Sequence, residues 1–375
     1  MSYEHPVDHR TMALDTHRNA FYRRALKKWI TPESVVLDLG AGLGGLGLMA
    51  ASLGAKRVYL VEPTTPLEVA RRLAVHNQLD DRITCIQAPI ERADLGEQVD
   101  IIISVFTGNF LLEEDLLPSL AFARDTFLAP GGKLLPEGGQ MWLQPVSLPG
   151  TYERQIDSWR QEIHGLSFDV MAPYALNQPV HDHFNEETIR IPLAPAGLVK
   201  SFDFMKDTVY DCDERLSFSV AESGVLHGCL GWFDMSAGRE SLSTGPDSTP
   251  THWRQIFFPL DALDVRQGER LTVSIRRRER GEWHWRVETP ERQVQHSAFL
   301  SRPVSPGELA SKSLSYTPEI GAEGHLVARL LAKFDGRTSL GELAQWLLDE
   351  APERFPDHPS AVHFVETQIG RFCDL

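Results

Sequence analysis

The segment Val35-Val36-Leu37-Asp38-Leu39-Gly40-Ala41-Gly42-Leu43-Gly44-Gly45 places the strongest constraint on the fold. An apolar, β-branched run meets a crowd of glycines, so a buried strand must turn sharply into whatever follows. Glycine permits that turn and lets a bound nucleotide come close to the backbone. The surrounding sequence keeps the same rhythm from Ser34 to Val146. Apolar runs at Val35–Leu39, Val58–Val61, Ile83–Ile86 and Ile101–Val105 alternate with helix candidates at Pro66–Asn77 and Glu114–Leu128, the second ended by Pro130, Gly131 and Gly132. Short strands alternating with helices predict an α/β block with a mostly parallel sheet.

Three readings of the glycine loop compete. Gly40, Gly42 and Gly45 satisfy the dinucleotide pattern G-x-G-x-x-G, which predicts a nicotinamide enzyme. Asp38, two residues before the first glycine, instead matches D-x-G-x-G, the form that binds S-adenosylmethionine, where no pyrophosphate repels the acid. A purely structural turn is the third reading. Asp38 favours the methyltransferase. Glu62, at the end of the second run, stands where a carboxylate can accept both ribose hydroxyls; the alternative is an exposed strand-end acid. Glu91 follows the third run, where an adenine-facing contact would lie.

Beyond Gln144 the character changes. Strand-like stretches such as Leu216–Val220, Gln255–Phe258 and Leu271–Ile275 have no long helical period between them, which predicts a mainly antiparallel β domain. Residues 151–190 form an insertion, with a helix-like start at Tyr152–Ile163 and a polar tail around His181, Asp182 and His183. That tail is read as a solvated loop, because no third ligand has metal-site spacing with the two histidines. The last residues turn helical: His325–Phe334, a turn at Asp335-Gly336-Arg337, then a helix through Leu348 with Ser339 and Glu342 spaced as a capping box. With 37 basic and 52 acidic residues, the net charge of -15 repels a nucleic-acid backbone. No apolar run is long enough to span a bilayer, and no signal layout opens the chain. Cys85, Cys212, Cys229 and Cys373 are scattered without a CxxC pair, which predicts reduced thiols in the cytoplasm.

At Ser104-Val105-Phe106-Thr107-Gly108-Asn109-Phe110-Leu111-Leu112-Glu113-Glu114-Asp115-Leu116-Leu117 the chain resembles the double-glutamate loop of the protein arginine methyltransferases, S-E-W-M-G-Y-x-L-x-x-E-S-M-L. Ser243-Thr244-Gly245-Pro246 followed by Thr251-His252-Trp253 resembles that family's THW loop with its upstream S-T-G-P. Ser2, Tyr3, His5, His9, Met12, Asp15, Arg18 and Tyr22 fall in register with its cofactor-covering N-terminal helices, although Pro6 replaces a later aromatic of that motif. The resemblance implies a Rossmann-like class I methyltransferase domain at 1–143 and a β-barrel substrate domain at 144–295. Residues 151–190 would be a helical arm for homodimerisation. It also implies S-adenosylmethionine as cofactor, with Arg18 on its carboxylate, Met12 at its sulfonium, His9 covering it and Glu91 on the adenine. Asp38, Gly40, Gly42 and Glu62 complete that set.

In this family two glutamates clamp a guanidinium, and the THW histidine, linked to an N-terminal aspartate, orients the network. Glu114, His252 and Asp15 occupy three of those positions; Val105 replaces the first glutamate. Loss of one charge-assisted bond to a buried cation costs about 1.5–3 kcal/mol, roughly tenfold to over a hundredfold in discrimination. Phe106, Asn109 and Glu113 also differ from the family pattern, and with Val105 and Trp253 they define a rebuilt acceptor pocket. Three outcomes follow. The acceptor is another nitrogen, such as an imidazole or amine on a peptide or small molecule; or it is still a guanidine, with Glu113 or a substrate carboxylate replacing the lost charge; or the chain is a scaffold that binds cofactor without turnover. An imidazole already carries a lone pair near neutral pH, so one carboxylate suffices for it.

Residues 296–375 lie outside the resemblance. Leu330, Leu331, Phe334, Leu340, Leu343, Ala344, Trp346 and Leu347 are spaced for one apolar face, and three short helices there resemble small winged-helix modules. Such a domain either binds a peptide or partner protein or packs as a structural appendage. Asp349, Glu350, Glu353 and Asp357 make its helix ends acidic, unlike a DNA reader.

Overall fold

The computed structural model describes residues 5–185 and 189–373, in two compact units, 1–303 and 304–375. Ser2 and Tyr3 lie outside the described residues. The first unit opens with helices α1 (Arg10–Ala13) and α2 (Thr16–Trp29). Then come β1 (Val35–Leu39), α3 (Gly45–Ser52), β2 (Arg57–Val61), α4 (Pro66–His76), β3 (Ile83–Ile86), β4 (Val99–Ser104), α5 (Leu117–Phe127) and β5 (Leu128–Leu135). The strands form one parallel sheet in the order β3-β2-β1-β4-β5. β1 is central and all its residues are buried, which is why its sequence is an unbroken apolar run apart from Asp38. The strand order reverses between β1 and β4, so the crevice at their C-terminal ends is where such a sheet holds ligands.

Two expectations are corrected in this block. The helix expected from Glu114 starts at Leu117, with Pro118 in its first turn. A helix begun at Glu114 would need an amide donor from residue 118, and proline has none. The Pro130-Gly131-Gly132 stop does end the helix, but the chain passes directly into β5, whose Lys133, Leu134 and Leu135 pair with Ile101, Ile102 and Ile103.

The chain then enters a set of antiparallel strands: β6 (Gly138–Ser147), followed by α6 (Pro149–Gln155), the short hairpin β7 (Glu162–Ile163) and β8 (Leu166–Ser167), and α7 (Ala172–Leu176). The remaining strands are β9 (Val180–Asp182), β10 (Ile191–Pro192), β11 (Gly197–Asp203), β12 (Cys212–Ser219), β13 (Gly224–Ala237), β14 (Glu240–Ser243), β15 (Gln255–Val265), β16 (Arg270–Arg277), β17 (His284–Glu288) and β18 (Gln293–Ser297). One sheet runs β10-β6-β13-β15-β9, with β11 on β6 and β14 on β13; the other runs β12-β16-β17-β18. The helix expected over Tyr152–Ile163 is shorter: α6 stops at Gln155 and a single 3-10 turn covers Asp157–Arg160. His181 is not in a solvated loop. It lies on β9, which pairs with the start of β15 in the register Asp182 to Gln255, His181 to Ile256 and Val180 to Phe257. One continuous apolar core joins the α/β sheet to the barrel. Phe110, fully buried, inserts from the α/β side against Phe258 and Trp283, with ring centroids 5.7 and 5.1 Å away.

The second unit consists of α8 (Pro306–Ser311), α9 (Ala322–Leu331), α10 (Leu340–Glu350) and α11 (His358–Phe372). Leu326 and Leu330 of α9, Leu343, Ala344 and Leu347 of α10, and Ala361 and Val365 of α11 form its core. The expected capping box is present: the Glu342 amide donates to Ser339 Oγ at 3.4 Å and the Ser339 amide to Glu342 Oε2 at 2.8 Å. No strand occurs among the described residues of this unit. Among the described residues of the chain, no helix is long and apolar enough to cross a membrane.

Candidate active site

After β1 the chain turns through Gly40, Gly42 and Gly44 with φ of +67°, +53° and +72°, a region costly for residues bearing a Cβ. Space is short as well. A Cβ on Gly40 would lie 2.2 Å from the Phe106 ring, and one on Gly42 would lie 2.9 Å from the ring of His9, which is buried over the loop. Gly45, the third glycine of the dinucleotide pattern, has nothing within 4 Å of such a Cβ, so it does not perform the close helix–strand packing that the dinucleotide reading requires. Gly47 performs it, against Leu60 at 2.3 Å.

Asp38 accepts the Gly47 amide at 2.7 Å and so caps α3, whose N-cap Gly44 has no side chain to offer. Burial pushes its carboxyl up to about 7, against the opposing pull of the Gly47 amide and the Arg18 charge. Glu62 is also buried: Oε2 accepts the Gly42 amide at 3.0 Å, and Oε1 accepts the Thr64 amide at 3.0 Å and its hydroxyl at 2.5 Å. Arg18, 5% exposed on α2, donates from Nε and Nη2 to Asn19 Oδ1 at 3.1 and 2.8 Å. Burial draws its pKa down, offset in part by Tyr22, Asp15 and Asp38. Tyr22 itself donates to the Ser104 carbonyl at 2.9 Å, tying α2 to the end of β4. Met12 is half-buried on α1. Glu91 is exposed beside α5, where it accepts the Ser119 hydroxyl at 2.6 Å.

The loop from Val105 to Leu116 folds tightly back on itself. The Leu111 amide bonds to the Gly108 carbonyl at 3.1 Å, Leu111 and Asp115 take φ of +59° and +54°, and a Cβ on Gly108 would meet that of Glu113 at 2.9 Å. Contacts from the barrel hold this shape. Trp253 Nε1 donates to the Thr107 carbonyl at 2.8 Å and the Arg254 amide donates to Asn109 Oδ1 at 2.9 Å. Asp115 receives Arg277 through Nη1 and Nη2 at 2.9 and 2.6 Å, with the Arg280 amide at 2.8 Å. Burial alone would raise the Asp115 carboxyl, but these bonds outweigh it and its pKa falls below the usual value. His181 Nε2 lies 3.0 Å from both carboxylate oxygens of Glu113. Val105 and Phe106 are half-buried and apolar at the loop's base, while Glu114 is exposed on it.

His252 is the meeting point of the N-terminus and the barrel. Asp15 caps α2 by accepting the Arg18 amide on Oδ1 at 2.8 Å, and its Oδ2 accepts both the His252 amide at 2.7 Å and His252 Nδ1 at 3.0 Å. Burial lowers the imidazole pKa, with Asp15 pulling the other way. The ring is therefore neutral at pH 7, with Nδ1–H given to Asp15 and Nε2 left as an acceptor. Burial pushes the Asp15 carboxyl up, but the bonds from His252 and Arg18 prevail and its pKa is lowered. Trp253, 3% exposed, backs the imidazole at 4.1 Å between centroids.

Sequence reasoning missed His181 and Arg277. A three-residue edge strand carries no readable period, so His181 was noticed only as part of a polar tail and read as solvated. Arg277 did: Leu271, Val273, Ile275 and Arg277 are the buried positions along β16, and an arginine that continues an inward-facing alternation must find a partner inside. Among the described residues no three His, Cys, Asp or Glu side chains converge as a metal site.

Comparison with known proteins agrees with this geometry. Residues 137–288 match the family model for the arginine methyltransferase oligomerization subdomain. The chain is 31% identical to protein arginine N-methyltransferase 6 of Xenopus laevis over 281 residues, covering 71% of this chain and 82% of the relative. It is also 31% identical to protein arginine N-methyltransferase 1.1 of Arabidopsis thaliana, covering 73% of this chain and 72% of the relative. Among solved structures, the Trypanosoma brucei PRMT1 enzyme–prozyme heterotetrameric complex with AdoHcy superposes with a TM-score of 0.70 at 28% identity, covering 79% of this chain and 99% of that one. Arabidopsis thaliana protein arginine methyltransferase 10 gives 0.68 at 25% identity over 79% and 99% of the two chains. The chain therefore belongs to the protein arginine methyltransferase family, with the α/β methyltransferase domain and barrel of that fold.

Proposed function

We propose that this chain is an S-adenosylmethionine-dependent N-methyltransferase whose acceptor is a nitrogen of a peptide or small molecule, with an imidazole or amine favoured over a guanidine. The observation that carries the reading is the Asp15–His252 pair, which joins the start of the cofactor-covering helix α2 to the THW segment of the barrel through buried hydrogen bonds. Such a link has a use when two substrates must be aligned across the junction. Methyl transfer is an in-line displacement: the acceptor nitrogen's lone pair forms the N–C bond as the sulfonium S–C bond breaks. S-adenosylhomocysteine departs, and the nitrogen loses a proton.

In this assignment Arg18 would hold the cofactor's carboxylate, Glu62 its ribose hydroxyls and Glu91 its adenine, with Met12 at its sulfonium, His9 covering it, Gly40 and Gly42 leaving room for it, and Asp38 bracing the loop through the Gly47 amide. Glu114 accepts the acceptor's N–H, and His252 orients the network. Val105 stands at the position of the first loop glutamate of the resembled family, and Glu113 is already engaged by His181, so a guanidinium would find one carboxylate partner in place of the two of that loop pattern. The arginine N-methyltransferase reading is the alternative, favoured by the 31% identity to enzymes of that name.

The inserted arm, 151–190, exposes Ile163, Leu166, Phe168 and Val170, an apolar strip that a second copy of the chain would cover in a homodimer. The proposed division of labour is 1–137 for cofactor, 138–303 for acceptor and dimer, and 304–375 as a small helical domain that captures a peptide or partner protein in the cytoplasm. The test gives the protein labelled S-adenosylmethionine with arginine-rich peptides, histidine-containing peptides, amines and free amino acids, and locates the methyl group by mass spectrometry. Label on an imidazole or amine supports the main reading, and label on a guanidino nitrogen supports the alternative. Tight S-adenosylhomocysteine binding without transfer, unaffected by Glu114→Gln and His252→Ala, would replace both with a scaffold.

A further inference from the structure

The acceptor loop is tied to the barrel at Thr107, Asn109, Glu113 and Asp115, and three of those ties come from the THW segment or the β16 end. The fourth comes from the inserted arm. We propose that His181 is a positioning residue: from β9 it fixes Glu113, and through it the turn that carries Glu114, in the geometry the acceptor needs. This rests on the methyltransferase reading above.

The contact is well placed for that task. A single donor, Nε2, sits 3.0 Å from each oxygen of Glu113, so the carboxylate is held symmetrically and its rotation about the terminal bond is fixed. The pair is half-buried, with the histidine side chain 32% and the glutamate 18% exposed. β9 is itself a firm base. It pairs with β15 immediately after the THW segment, and the next residues are anchored as well: the Phe184 amide donates to Gln255 Oε1 at 2.8 Å, Gln255 Nε2 donates to the Thr244 carbonyl at 2.6 Å, and the Phe184 ring is buried against Phe257. Glu113 and Glu114 both crowd Gly108, so a displacement of one is passed to the other.

The experiment uses the full chain with the acceptor that the labelling assay identifies. His181→Ala is expected to lower kcat about tenfold, as misplacement of a reacting group does, while the S-adenosylhomocysteine Kd by calorimetry stays within about twofold, because nothing on the cofactor side changes. Glu113→Ala is expected to match it, and the double variant to be no worse than either single one, since both remove the same contact. His181→Gln, which keeps an N–H near the Nε2 position, is expected to restore most of the rate. Parent-like turnover in His181→Ala, additive losses in the double variant, or a Gln variant as slow as the Ala variant would each overturn the proposal. Amide hydrogen exchange over 105–116 reads the same contact without turnover: faster exchange there in His181→Ala and Glu113→Ala supports it, and unchanged exchange refutes it. If the parent chain transfers no methyl group, the methyltransferase reading fails by itself, and the exchange experiment still decides whether His181 holds the loop.

Discussion

Asp15 performs two tasks with its two oxygens, and Asp15→Asn separates them. Asparagine caps a helix about as well as aspartate, so Oδ1 can go on accepting the Arg18 amide and α2 keeps its start. At the other end the amide NH2 faces the His252 amide and Nδ1–H, two donors that sit 2.7 and 3.0 Å from the present Oδ2. The site is buried, with side-chain exposures of 10% for His252 and 4% for Asp15, so water does not replace the lost acceptor. Leaving two buried N–H groups unpaired would cost about 2–6 kcal/mol. The imidazole can recover about half of this by moving its proton to Nε2 and accepting from the new NH2 through Nδ1, which leaves about 1–3 kcal/mol. That escape has a functional consequence: Nε2 becomes a donor toward the acceptor site, the opposite of its present role. Asp15→Asn is therefore expected to lose about 1–3 kcal/mol in denaturant unfolding, and methyl transfer is expected to fall about a hundredfold or more. Asp15→Ala should be about 1 kcal/mol less stable again, because the cap is lost too. A variant with asparagine that loses stability yet turns over at the parent rate would show the pair to be purely structural. Equal stability of the two variants would refute the capping argument.

Three further outcomes are expected. Val105→Glu returns a carboxylate to the loop's base and should raise transfer to guanidine-bearing peptides, relative to other acceptors, by roughly tenfold to a hundredfold, read as kcat/KM ratios. Arg277→Lys gives up the two-pronged grip on Asp115 and should cost about 1 kcal/mol in unfolding while lowering kcat more than S-adenosylhomocysteine affinity. For Asp38 the sign is set by burial: its folded pKa, about 7, lies above the ordinary 3.8. The fold therefore favours the protonated acid, and that contribution is complete below 3.8 and lost as pH rises through 7. Asp38→Asn, which retains an acceptor for the Gly47 amide, should gain stability relative to the parent between pH 5 and pH 8; a gap that stays constant with pH would contradict the assignment.

Much of the α/β block was legible: the central strand Val35–Leu39 is apolar because both its faces are buried, and the edge strand Ile83–Ile86, a short run broken only by Thr84, could also be read with its boundaries. β5 was hidden because a proline and two glycines stand between Leu128 and its other pairing residues, Lys133, Leu134 and Leu135, a string that reads as a stop and nothing more. In the second unit α10 announced itself through its capping box, whereas α11, with Asp357 as cap and Pro359 in the first turn, carried the same kind of signal unread. These are local features, and local chemistry explains both successes and omissions.

The site divides along a different line. The residues expected to touch cofactor or acceptor were named from motifs, since their chemistry restricts the residue type and leaves a spelling in the chain. Two of the residues that aim them escaped: Arg277 was not named, and His181 was read as solvated. His181 and Glu113 are 68 positions apart, and Arg277 and Asp115 are 162 apart. What brings each pair together is strand register in the barrel, a property of the folded sheet and of no local pattern. Register also explains why such residues can be recovered afterwards. An arginine on the buried side of β16, or a histidine on a three-residue edge strand beside the THW segment, would be costly to hold without a partner. The Val105 substitution then acquires its physical meaning from these aiming contacts: Glu113 is not a spare carboxylate in reserve for the missing one, because a bond from the inserted arm already holds it. If the acceptor proves to be a guanidine, the second carboxylate to pair with it must therefore come from the substrate itself, and peptides bearing an acidic residue beside the methylated arginine should be preferred over those without one.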